Sequence, residues 1–282
     1  MTEIANIKDY GYKDTRRLRK ALKIIAYVLV ALTIVLIYAS TIMIALQSFN
    51  SSVNTQQFGG FTFKWYLEMF KERTLRNAIF NTLIVSLVSV SLSTILGTLI
   101  AIGIFSLSKK SKQIMILLNN IPLLNADMVT GISLMLVFSL LLPVFPYLFG
   151  PTTMILAHLF FTLPYVILSV LPKLKEIDKN LIDAALDLGV KPFRAIKKVI
   201  IPAISSSIFS GALLAFTVSV DDFVISYYTT GNGFDNLSIW IYSSIGRRSL
   251  TPSVYAFSTL LLIVTLMLII TSRFLMNRGK SK

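Results

Sequence analysis

Residues 178–202 read Asp178-Lys-Asn-Leu-Ile-Asp183-Ala184-Ala185-Leu-Asp-Leu-Gly189-Val-Lys-Pro192-Phe-Arg-Ala-Ile-Lys-Lys-Val-Ile-Ile-Pro202, a polar, basic island between two long apolar segments. Its local chemistry predicts two short helices and a sharp turn. Asp178 is placed to cap a first helix, which carries Ile182, Ala185 and Leu188 at i, i+3, i+6 spacing. Gly189 falls where a helix would end in a left-handed residue, and Pro192 where a new helix would begin. The second helix puts Phe193, Ile196 and Ile200 on one side, with Lys191, Arg194, Lys197 and Lys198 largely elsewhere. Ala184 and Ala185 permit close approach of another surface. The island has the design of a docking element.

What lies around it is apolar. The chain of 282 residues is 55% hydrophobic and 14% charged, with a mean hydropathy of +0.74. A soluble domain of this size carries about a quarter charged residues. The sequence therefore reads as an all-α polytopic membrane protein. Its formal net charge of +14 belongs to the basic flanks that orient membrane helices rather than to a nucleic-acid surface. The absence of cysteine excludes disulfides and thiolate metal sites. The first apolar run, 24–46, is too long for a signal-peptide core and reads as an anchor that stays in the protein.

A helix needs about 20 apolar residues to span the hydrocarbon core. Six segments qualify: 24–46, 79–105, 114–142, 152–171, 204–225 and 254–272. The expected organisation is a cytoplasmic arm over 1–23, a six-helix transmembrane domain over 24–275 with a cytoplasmic loop at 172–203, and a cytoplasmic tail over 276–282. Lysine and arginine fix the orientation. With the N-terminus inside, the arm, the 106–113 turn, the 172–203 loop and the residues after the last span (273–282) hold 21 of the 27 basic residues, leaving six outside. Both termini and the 178–202 island are thus expected in the cytoplasm. Of the outer loops, 47–77 carries an aromatic patch (Phe61, Phe63, Trp65, Tyr66) that reads either as an interfacial helix or as a docking surface. The loop 227–253 mixes aromatics with Gly231, Gly233 and Asp235, a cap over a pathway.

Ionisable residues at membrane depth are costly and each needs a reason. Asp127, Asp221 and Asp222 sit in or near the expected spans, with no comparably deep lysine or arginine. This excess of anionic oxygen points to an aqueous path that tolerates cations. The alternative is that the aspartates cap broken helices or pair with Asn119, Asn120 or Asn125. Adjacent carboxylates in an apolar helix repel one another unless something positive visits. His158, the only histidine, fits an interhelical hydrogen bond, and Pro122 and Pro164 are expected to kink their helices. No nucleophile–base–orienter set is present. Gly279-Lys280-Ser281 has Phe274 where a phosphate loop needs its first glycine and no room for a following helix. The chain is expected to be no enzyme and to hold neither metal nor catalytic residue.

The island also resembles a known signature. Membrane subunits of binding-protein-dependent ABC importers carry a cytoplasmic Glu-Ala-Ala, three residues, Gly, nine residues, Ile-x-Leu-Pro. Here Asp183-Ala184-Ala185, Gly189 and Val199-Ile200-Ile201-Pro202 keep every spacing, with Asp for Glu, Val for Ile and Ile for Leu. A narrower resemblance, to the second permease subunit of polyamine (spermidine/putrescine) importers, is carried by Asp127-Met-Val-Thr-Gly-Ile-Ser-Leu134, Ser219-Val-Asp-Asp-Phe-Val-Ile225 and Tyr227-Tyr228-Thr-Thr-Gly231. The resemblance implies a type I ABC importer architecture and a complex with two ATPase subunits, a second permease and an external binding protein. It implies that Asp183, Ala184, Ala185, Gly189, Pro192 and Pro202 form the ATPase-coupling loop, with ATP and Mg used by the partner. Asp127, Asp221, Asp222, Tyr227 and Tyr228 are the expected lining of an organic-cation route through the cell membrane. Related permeases for metal ions, thiamine or other small solutes share parts of these runs, and a stand-alone secondary transporter or channel is the reading from a different class.

Overall fold

The computed structural model describes residues 2–54, 57–177, 191–231, 233–245 and 252–280. Among these residues every regular element is helical, with one isolated antiparallel bridge between Asn50 and Phe61. Asp183, Ala184, Ala185 and Gly189, together with the Asp178 cap, lie outside the described residues. The chain divides into two compact units, 1–66 with 251–260, and 67–250 with 261–282.

In the first unit, α1 (Thr2–Ser48) is continuous, and its apolar stretch Leu18–Ser48 has the length and hydropathy of a membrane span. The chain beyond it is organised by Asn50, which is 1% exposed. Its amide nitrogen donates to Gln47 Oε1 and to the Gln57 carbonyl, both at 2.9 Å, while its Oδ1 accepts from the Ser52 and Gly59 amides. Its carbonyl accepts Trp65 Nε1–H at 2.6 Å. That scaffold sets Phe49, Phe61, Phe63 and Tyr66 in an aromatic cluster, with Phe49 and Phe61 stacked at 4.8 Å. The helix near this patch, α2 (Lys64–Glu68), is only five residues long.

The second unit is built on three helices: α3 (Arg73–Ser106), α6 (Pro151–Glu176) and α8 (Ile201–Asp221). Lipid supplies no hydrophobic drive between helices, so small residues and hydroxyls set how closely they pack. A Cβ on Gly97 of α3 would lie 2.9 Å from Val166 Cβ, and one on Gly211 of α8 would lie 3.0 Å from Ser169 Cβ. Both glycines thus meet the same stretch of α6. Ser93 Oγ and Thr162 Oγ1 share a 2.5 Å hydrogen bond, and Ser169 Oγ donates to the Ser207 carbonyl. Val90, Ile104, Ile167, Leu174 and Ile204 fill the rest of this core.

Two expected spans are not the uniform helices that their composition predicts. The segment 114–142 is two helices, α4 (Lys109–Leu124) and α5 (Asp127–Leu141), bent by 101°. Pro122, inside the last turn of α4, has no amide to give, and the ladder ends three residues later at Asn125. The segment 204–225 is likewise interrupted. Here α8 ends at Asp221, and α9 (Val224–Thr229) begins after Asp222 and Phe223. By contrast, α6 runs unbroken past Pro164.

At its start, α8 is continuous with α7 (Pro192–Ala195) through one π turn over Ile196–Ile200. Pro202 cannot donate, and just before it the Ile201 amide reaches back five residues to Ile196. Pro192 opens this run as expected, but Phe193 departs from the predicted face: it is 76% exposed, while Ile200 is buried. The remaining helices are α10 (Leu237–Ile245) and α11 (Pro252–Lys280). Among the described residues four stretches are long and apolar enough to cross a membrane, and a fifth if the bent α4–α5 pair counts as one span. The apolar part of α11, Pro252–Met267, is shorter.

Candidate functional site

The two helix breaks converge. Asp127 opens α5, where a carboxylate is favoured by the amide ends of the first turn. Asp221 and Asp222 stand where α8 stops. All three line one cavity of about 380 Å³, together with Thr130, Tyr165 and Thr217. The carboxylates differ in what holds them. Asp222 caps α9, accepting from the Ile225 amide at 3.3 Å, the Ser226 amide at 2.7 Å and Ser226 Oγ at 2.7 Å. Asp127 and Asp221 are exposed, and among the described residues neither carboxylate has a hydrogen-bond or ion-pair partner. Asp127 and Asp222 face the same cavity, where like charges repel. Thr130, one turn into α5, is 5% exposed, and among the described residues its hydroxyl has no partner. The cavity thus combines negative charge with an unspent polar atom, which suits a group that is positively charged and rich in N–H donors.

Behind Asp222 runs a buried polar chain that joins five helices. His158 of α6 bonds Ser219 Oγ through Nδ1 at 2.7 Å and Ser226 Oγ through Nε2 at 2.9 Å. Ser219 continues to Ser86 of α3 at 3.0 Å. Ser226, which donates to Asp222, also accepts from Asn236 Nδ2 at 2.8 Å. Asn236 in turn caps α10 by accepting the Ile239 amide at 2.9 Å. A Ser226 hydroxyl that donates to Asp222 must accept from His158, which puts a proton on Nε2. The expected interhelical role of His158 is present, and its further effect is to aim the serine that holds a cavity carboxylate.

The two tyrosines paired in the sequence reading meet edge to face, ring centres 5.6 Å apart, but differ in their other neighbours. Tyr227 lines a second cavity of about 410 Å³ with Phe149, Thr230 and Asp235. Tyr228 packs on α5, where a Cβ at Gly131 would meet its Cδ2 at 3.0 Å. Thr130, Tyr165, Ser219, Ser226 and Asn236 were not singled out from the sequence as site residues. A usable signal existed in Ser219, Asp222 and Ser226, polar residues three and four apart in an apolar run. Pro192 and Pro202 are at the start of α7 and at the π turn. No group of three or more His, Cys, Asp or Glu able to hold a metal occurs among the described residues.

Residues 93–279 match the family described as binding-protein-dependent transport system inner membrane component. The chain is 31% identical over 246 residues to the spermidine/putrescine transport system permease protein PotC of Escherichia coli (strain K12), covering 87% of this chain and 91% of the relative. It is 32% identical over 238 residues to the putrescine transport system permease protein PotI of the same organism, with 83% and 84% covered. In fold it is similar to a chain of a bacterial ABC transporter involved in the import of the acidic polysaccharide alginate, with a TM-score of 0.69 at 16% identity over 93% of this chain and 98% of that one. The same comparison with a bacterial alginate ABC transporter in complex with an alginate pentasaccharide-bound periplasmic protein gives a TM-score of 0.66 at 17% identity, covering 93% and 96%.

Proposed function

From the premise that this chain belongs to the binding-protein-dependent transport system inner membrane component family, we propose that it is the permease through which an ATP-driven importer passes polyamines such as spermidine and putrescine. It is a multi-pass, non-catalytic membrane subunit. Its partners in this reading are two ATPase subunits that use ATP and Mg, a second permease and an external binding protein. Both termini and the 178–202 island face the cytoplasm, and six helices cross the membrane, the third being the broken α4–α5 pair. The observation that carries the cargo reading is the cavity where Asp127, Asp221 and Asp222 meet a Thr130 hydroxyl, which among the described residues has no partner and no lysine or arginine beside it in the lining. Like charges gathered at membrane depth are stabilised when a cation enters.

Coupling follows from continuity. The island that includes Asp183, Ala184, Ala185 and Gly189 docks on the ATPase, and the helical run from Pro192 to Asp221 leads from the island to the cavity. Thirty residues of helix span about 45 Å. Closure of the ATPase pair then moves the cavity wall by moving the foot of α8, shifting the population between inward- and outward-open states. Selection of the cargo rests mainly with the external protein, since tight binding inside the membrane would hinder release.

Uptake of labelled putrescine and spermidine by the four-component complex in liposomes tests the reading. Saturable, ATP-dependent uptake is expected, reduced in the double variant Asp221→Asn/Asp222→Asn with complex assembly intact. Uptake of thiamine or a metal ion in place of either polyamine would sink the cargo while keeping the architecture.

A further inference from the structure

Resting on the reading that organic cations cross this chain, we infer that the outer cavity is a second ammonium subsite, in which Asp235 pairs with the charge and Tyr227 presents a ring face. The cavity of about 410 Å³ is lined by both residues. Among the described residues the Asp235 carboxylate makes no hydrogen bond or ion pair, although its backbone is fixed on both sides. Its carbonyl accepts Asn81 Nδ2 at 2.9 Å, and the next residue, Asn236, is 1% exposed and bonded to Ser226 and to the Ile239 amide. The backbone of Asp235 is therefore fixed, while its carboxylate stays unneutralised among the described residues. Tyr227 is half-exposed and lies 5.6 Å from Phe223 and 6.0 Å from Tyr242, ring centre to ring centre. A carboxylate beside exposed aromatic faces recognises alkylammonium ions by charge and cation–π attraction together.

The walls are built rather than slack. A Cβ on Gly231 would lie 2.5 Å from the Phe149 carbonyl oxygen, so only glycine lets this turn seat against the 149–150 backbone. Gly233 has φ +82°, and the Thr230 hydroxyl donates to the Phe234 carbonyl across the turn. Phe223 completes the arrangement. It lines the inner cavity of Asp127, Asp221 and Asp222 and also packs at a tilt against Tyr227 and, at 4.8 Å, against Tyr242. Two cavities, each with carboxylate in its lining, are thus linked by the contact between Phe223 and Tyr227. That pattern matches an α,ω-diamine: two ammonium groups joined by an apolar spacer. The outer subsite receives the leading ammonium from the external protein, and the inner one takes it over as the chain advances past Phe223.

The test uses the full complex in liposomes with saturating, putrescine-loaded binding protein, and reads putrescine imported per ATP hydrolysed. Asp235→Asn is expected to lower that ratio about ten-fold, the scale of one lost charge-assisted contact, because released substrate escapes outward. Asp235→Glu should restore most of it, and Tyr227→Phe should retain more of it than Tyr227→Leu. An unchanged ratio in Asp235→Asn overturns the subsite while wild-type uptake still upholds the polyamine reading. A parallel fall of uptake, ATP turnover and melting temperature also overturns it, making Asp235 a structural residue. A wild-type complex that imports no polyamine removes the reading and the subsite with it.

Discussion

His158 bonds two serines at once, so truncating it removes one partner from each. His158→Ala leaves Ser219 and Ser226 without their 2.7 and 2.9 Å partners in a dry interior. A cost of about 1–3 kcal/mol is expected, read as a lower melting temperature of the solubilised complex. His158→Gln, which can still donate toward Ser226, should recover part of it. Uptake should fall further than stability, because Ser226 would no longer be aimed at Asp222. The glycines give a sharper contrast. Gly97→Ala forces a Cβ to within 2.9 Å of Val166, whereas a Cβ at Gly103, also in α3, meets nothing within 4 Å. Gly97→Ala should lower expression and melting temperature and Gly103→Ala should leave both unchanged. Equal behaviour of the two would show that α3 does not approach α6 as closely as described. Such differences were not legible in sequence, where both glycines are merely small residues in an apolar helix.

The helices themselves were largely legible, because length and apolarity alone predict where a membrane helix lies. The runs 24–46, 79–105 and 152–171 fall inside α1, α3 and α6. The breaks were harder to read. Asn125-Ala126 contains neither glycine nor proline, and the proline responsible lies three residues earlier, so 114–142 reads as one kinked span with Asp127 a third of the way along. Likewise Asp221-Asp222 reads as a repelling pair within one helix, whereas Asp222 has left α8 and caps α9. Asp222 caps a broken helix, as the alternative had it, and it also lines the cavity. The α4–α5 break can be tested directly. Pro122→Ala restores the missing amide and removes the clash that ends α4, so the bend of 101° should open. Spin labels on Leu118→Cys and Met135→Cys should then move apart, and uptake should drop as Asp127 leaves the cavity. An unchanged label distance would assign the break to Asn125 instead.

For the whole molecule, Pro192 and the cavity of Asp127, Asp221 and Asp222 lie at opposite ends of one helical run, and that relation was legible only in part. The signature spacing located the island, but nothing in it predicts that Pro192–Ala195 fuses with the following span. Hydrogen exchange offers a check at this scale. Amides over 205–219, inside the three-helix core, should be protected far longer than those over 196–200. The reason lies in the π turn, which holds one residue more than an α turn. A surplus residue can migrate along a helix, and each segment it passes rotates by about 100° while the run stays intact. Pro202, unable to donate, bars that migration from entering α8. The run is therefore stiff when pushed along its axis and compliant when twisted, and the compliance is confined to the end that meets the island.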